Sequence, residues 1–195
     1  LLHSLIGLWR QEPALRRATL TQALLFASFS AFWTVLAFYL ADPAYGLGAE
    51  VAGLFGVIGV AGVVAAPLAG RMADRLGARP VVLVGALLAV LAWILFETWL
   101  SLIGLALGVI LLDLGVQSAL VAHQQLIYGL RAEARGRINT LFMTGMFLGG
   151  TLGSSLAMLA WQQGSWVGVG WVGLALALMA CLTALAGKRS LQPAS

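Results

Sequence analysis

Asp113 is where a functional reading of this chain has to begin, because it is the only acid inside any of the long apolar stretches. Gln117 follows four residues later and Gln124 eleven, so at about 100° per residue all three fall within about 40° of one helical face. An ionised carboxylate in hydrocarbon is costly and persists only against protein or a wet cavity, which makes it a functional candidate by default. Two chemistries fit. As a proton site, Asp113 loads on one side of a membrane and releases on the other, and it drives a change of shape if its two charge states favour different conformations. As a structural group, it is permanently satisfied by Gln117 or a neighbouring helix and holds its own helix in register.

Other chemistries find less support. An intramembrane aspartyl protease needs two embedded acids, and a serine protease needs an exposed serine with a histidine base. GxSxG does not occur, and neither do the usual metal-ligand spacings. No metal and no cofactor are expected, only a proton gradient. The single cysteine, Cys181, stands in an apolar run and rules out an internal disulfide. His123 lies off the polar stripe with no second ligand-type residue at helical spacing, and reads as a membrane-interface histidine. Gln22, Phe26, Phe29 and Trp33 share one face, which suits either an amphipathic organic substrate or plain packing.

With 61% hydrophobic and 9% charged residues, these groups must be positioned by membrane-embedded elements. Lipid leaves backbone groups no partner but each other, so only helices or closed barrels span it. Apolar runs of about 20 residues without two-residue alternation select helices. Six spans are expected, over 18–40, 50–70, 80–96, 99–126, 138–162 and 166–186. The connections after the first, third and fifth (ADPAYGLGA, ET, QGS) carry no Lys or Arg. All eleven basic residues fall at the opposite ends: Arg10, Arg16, Arg17; Arg71, Arg75, Arg79; Arg131, Arg135, Arg137; Lys188, Arg189. The positive-inside bias then puts both termini in the cytoplasm. It also accounts for the basic charge without nucleic acid.

The spans differ in kind. The first and fourth carry the polar and aromatic side chains, and the third and sixth are almost wholly apolar. The second and fifth are rich in glycine. Gly53, Gly56, Gly59 and Gly62 recur every three residues, and Gly145, Gly149 and Gly153 form a doubled GxxxG that lets helix backbones approach closely. In the fifth, Thr140, Thr144, Thr151 and Ser155 share another face, to line a cavity or to bond back to their own helix. The order polar, glycine-rich, apolar thus occurs twice.

Between the second and third spans lies GRMADRLGARP, with Gly70, Asp74, Arg75, Gly77 and Arg79 at fixed spacing. This loop resembles the cytoplasmic signature of the major facilitator superfamily. It departs where Met72 replaces the usual Leu and where Ala78 stands in place of a common basic residue. RAEARGR, residues 131–137, resembles the basic loop at the end of the matching helix pair.

The resemblance implies an all-α membrane protein whose six transmembrane helices, two three-helix repeats, form the C-terminal half of a twelve-helix transporter. Residues 1–17 would be a cytoplasmic linker or surface segment, 18–187 the membrane domain, and 188–195 a cytoplasmic tail. The first helix of each triplet would line a central cavity, the second would pack between halves and the third would face lipid. Gly70, Asp74, Arg75, Gly77, Arg79, Glu133 and Arg135 would form a conformational latch, with Glu133 pairing Arg71 or Arg75 and Asp74 pairing Arg135 or a helix N-terminus. Partners would be lipid, a small-molecule substrate and the N-terminal six-helix half. The implied function is proton-coupled efflux by alternating access, as in the drug and metabolite exporter branches, in a bacterial inner membrane. The competing class is a non-transporting six-helix protein that dimerises or acts as a receptor.

Overall fold

The computed structural model describes residues 2–43, 45–64 and 66–186, so the expected tail at 188–195 lies outside the described residues. The helices are α1 (Leu2–Gln11), α2 (Pro13–Ala41), α3 (Ala49–Val64), α4 (Ala66–Leu76), α5 (Ala78–Thr98), α6 (Leu102–Tyr128) and α7 (Arg135–Ala186). A 3-10 turn, Ala132–Ala134, precedes α7. Among the described residues, four segments are long and apolar enough to cross a bilayer: α2, α5, α6 and Ala132–Ala186. The second expected span, 50–70, is occupied by α3 and the start of α4, on either side of residue 65.

Helix ends follow local chemistry. Pro13 opens α2, where its missing N–H costs nothing. The Ser101 hydroxyl caps α6 by accepting from the Gly104 amide at 3.1 Å. Gly77 turns the chain between α4 and α5 at φ 85°, a left-handed conformation that a side chain would strain. At about 1.5 Å per residue an unbroken α7 would run about 78 Å, more than twice the hydrocarbon thickness. Its backbone leaves the helix at Gly164 (φ −143°, ψ 16°) and Ser165 (φ 52°, ψ −144°). The two arms, 135–163 and 166–186, reverse there.

Contacts along α2 establish the reversal. On the first arm, Gly145 meets Thr19, Gly149 meets the Ala23 carbonyl and Gly153 meets the Ala27 carbonyl, so α2 and this arm run parallel. A Cβ at Gly149 or Gly153 would collide with backbone, which is why small residues repeat there. On the second arm, Thr21 bonds Thr183 at 2.9 Å, Ser28 donates to the Gly173 carbonyl at 3.1 Å and Tyr39 stacks on Trp166. That order is antiparallel. α5 and α6 form a hairpin in which Gly85 meets Gly115 backbone to backbone and Phe96 covers Gly108.

α2 is the axis of the bundle, with Leu25, Phe32, Val35 and Leu40 wholly buried. Around its C-terminal end an aromatic cluster closes the structure. Phe32 stacks on Phe96 with centroids 4.4 Å apart, Tyr39 stacks on Trp166 at 3.8 Å, and Trp93 donates to the Ser28 hydroxyl at 2.6 Å. At the other end the start of α2, the α4–α5 turn, the end of α6 and the end of α7 come together. There α1 docks through buried Leu8, which packs in one cluster with Leu15, Ile127, Ile138 and Phe142. Residues 13–17 belong to α2, five positions earlier than the expected boundary at 18.

Candidate functional site

Asp113 sits near the middle of α6 and is only 6% exposed. Its carboxylate lies over Gly59 of α3, with Trp33 of α2 closing the third side. A Cβ added at Gly59 would stand 3.1 Å from Asp113 Oδ1 and 3.3 Å from Trp33 Cζ2, so glycine leaves the room that brings acid and indole together. Asp113 Oδ2 and Trp33 Nε1 are both buried, and neither has a hydrogen-bond partner among the described residues. Thr19 Oγ1 and Glu97 Oε1 share that condition. What separates Asp113 is the company: an acid and an indole, from two helices, flank the same glycine of a third helix, and each carries a buried polar atom without a partner among the described residues. Buried polar groups are nearly always satisfied, so two such atoms beside one glycine mark this point as the candidate site.

A half-buried aromatic ladder leads from this point along α2. Trp33 lies 6.1 Å from Phe29, Phe29 stacks on Phe26 at 5.5 Å, and Phe147 of α7 meets Phe26 edge-on at 5.7 Å. Phe147 is itself 55% exposed, so the ladder borders an open face of the bundle. Gln117 and Gln124 are half-buried on α6 and make no bond to Asp113. Gly53 and Gly56 of α3 have nothing within 4 Å of an added Cβ, so α3 is open at these two positions while Gly59 is covered. Thr140, Thr151 and Ser155 are exposed and bond back to the carbonyls of Gly136, Phe147 and Thr151.

Gln22 departs from the ladder. It is fully buried and points at α6, where its Nε2 donates to the Val116 carbonyl at 3.4 Å and its Oε1 lies 2.9 Å from His123 Nδ1. A carbonyl can only accept, so the amide nitrogen must face Val116 and the oxygen must face the imidazole. The hydrogen of His123 is therefore on Nδ1. Sequence spacing read His123 as a membrane-interface histidine off the polar stripe; it is buried, and its partner escaped notice because it lies 101 residues away on another helix. Glu97 was missed for a different reason: α5 continues through Thr98, so Glu97 is a helical residue whose Oε1 is buried beside Gly170. A cavity of about 230 Å³ adjoins it, bordered by Trp93, Val167 and Trp171.

At the arginine-bearing end, Gly70 accepts at its carbonyl from Gln125 Nε2 at 3.3 Å, which ties α4 to α6. Arg79 donates to the Leu185 carbonyl at 3.2 Å and satisfies one of the orphan carbonyls ending α7. Arg135 bonds the Tyr128 carbonyl at 3.0 Å, and Arg131 pairs with Glu12 at 2.6 Å. Asp74, Arg75 and Glu133 are exposed, and among the described residues neither acid meets a basic side chain.

Residues 18–194 match the family model described as Major Facilitator Superfamily. The chain is 37% identical over 182 residues to the "Uncharacterized transporter YgaY" of Escherichia coli O157:H7, and equally to its K12 namesake, covering 92% of this chain and 46% of each relative. It is 38% identical over 167 residues to the "Probable transporter SCO4007" of Streptomyces coelicolor, covering 84% of this chain and 38% of that protein. The chain spans about half the length of the YgaY relatives or less for SCO4007. Helices of membrane-spanning length and the matched family model agree: this chain is an integral membrane protein of the Major Facilitator Superfamily.

Proposed function

We propose that the chain is the C-terminal six-helix half of a secondary transporter that exports a small organic molecule by alternating access, coupled to protons through Asp113. The observation that carries this reading is the buried Asp113 carboxylate, whose Oδ2 has no partner among the described residues, with the aromatic ladder running from Trp33 along an open face. Six passes are supported by the alternating directions of α2, α3 with α4, α5, α6 and the two arms of α7. A missing partner half is supported by the relatives' length and by the uncovered Gly53 and Gly56 of α3. The name "transporter" carried by the relatives supports the activity.

In this reading a weakly basic or amphipathic substrate stacks on Phe26, Phe29 and Trp33, and Asp113 exchanges a proton as the cavity changes sides. Protonated and ionised Asp113 would differ in their fit beside Trp33 and Gly59, and that difference biases the two orientations. Asp74, Arg75 and Glu133, exposed at the arginine-bearing end, are free to latch against the other half on the cytoplasmic side of a bacterial inner membrane. Both termini lie on that side. Cells expressing the full natural chain should export at least one member of a panel of amphipathic organic compounds, and an uncoupler should abolish that export. Accumulation unaffected by expression across the panel would favour a non-transporting membrane protein instead.

A further inference from the structure

We propose that the cavity at the arginine-bearing end is a binding site for an anionic phospholipid. The cavity measures about 480 Å³, within the range of about 300–1,000 Å³ typical of ligand sites. It opens where the start of α2, the α4–α5 turn, the end of α6 and the end of α7 converge. Arg17 and Arg79 both line it, and among the described residues no acid does. Each guanidinium spends one group on backbone, Arg17 Nε on the Pro13 carbonyl and Arg79 on the Leu185 carbonyl, which leaves further N–H groups for a ligand.

The interior is apolar, with Val82, Leu126 and Leu130 in its walls. Its polar members are already engaged: Thr21 bonds Thr183, and His123 bonds Gln22. Two cations at the rim of an apolar hollow, at the end of membrane-spanning helices, match a molecule with a phosphate at one end and hydrocarbon at the other. A free phosphate leaves the hollow unfilled, and a zwitterionic lipid leaves the arginine pair without net charge to match. The site is separate from Asp113, so this inference stands whether or not the chain carries protons.

The test is lipid retention by the full chain purified in detergent, read by native mass spectrometry and by thermal stabilisation. Phosphatidylglycerol, phosphatidylcholine and inorganic phosphate are the probes. Phosphatidylglycerol should be retained and should raise the melting temperature, while phosphatidylcholine should do neither. Arg17→Gln should weaken retention about fivefold, the effect of one surface cation on an anionic lipid. Ala14→Phe, which fills the cavity without touching its charge, should weaken it at least as much. Equal retention of phosphatidylcholine, full stabilisation by inorganic phosphate alone, or wild-type retention in both variants would each overturn the proposal.

Discussion

Two polar clusters lie between the same two helices, α2 and α6, and they are built on opposite principles. In one, Gln22 bridges the Val116 carbonyl and His123, so each group has a partner and the tautomer is fixed. In the other, Asp113 and Trp33 lie together over Gly59 with an oxygen and an indole N–H unused. Both are buried. The first holds the helices in register, because a satisfied buried network is rigid and specific. The second contributes no such bond and retains the desolvation penalty of two polar atoms. A cluster that weakens the fold where it stands is understandable when its groups are used by something that comes and goes.

Substitutions can break or sharpen that contrast. Gln22→Leu should have the largest effect on stability, about 2 kcal/mol measured by reversible unfolding in mixed micelles, because it strands His123 Nδ1–H in the interior. Adding His123→Leu should recover most of that loss, since removing both partners is far less costly than orphaning one. Next comes Gly59→Ala, at about 1 kcal/mol, as the new methyl group presses on Asp113 Oδ1 and the Trp33 ring. Its more telling readout is transport, which should fall although the carboxylate is retained. Trp33→Phe should be smallest, within about 0.5 kcal/mol of wild type, because the donor it deletes has no partner to lose. A destabilisation by Trp33→Phe as large as that of Gln22→Leu would erase the distinction between the two clusters.

Much of this was legible in the chain. Apolar run lengths foretold an all-helical membrane protein, and the arginine pattern grouped ends that the structure brings together around one cavity. The doubled GxxxG of Gly145, Gly149 and Gly153 marked a close helix contact, and the structure supplies its counterpart, the small residues of α2. Periodicity reports which residues share a face of one helix, and there its information stops. It put Gln22 with the aromatic ladder because 22, 26, 29 and 33 lie on one side, whereas Gln22 turns to α6 to meet a carbonyl and an imidazole. It grouped Asp113 with Gln117 and Gln124, whereas the groups that surround the acid, Gly59 and Trp33, come from two other helices. Glu97 escaped because hydropathy ended the third span at 96 while the backbone hydrogen bonds of α5 carry on to Thr98.

The most direct measurement concerns Asp113→Asn in the full chain, reconstituted in vesicles with an imposed pH gradient. The substitution keeps the size of the side chain and deletes only its ability to exchange a proton. Gradient-driven movement of a transported compound should vanish, while the melting temperature and compound binding stay near wild type. Gradient-driven movement at the wild-type rate would contradict the account and return Asp113 to the role of a buried structural group.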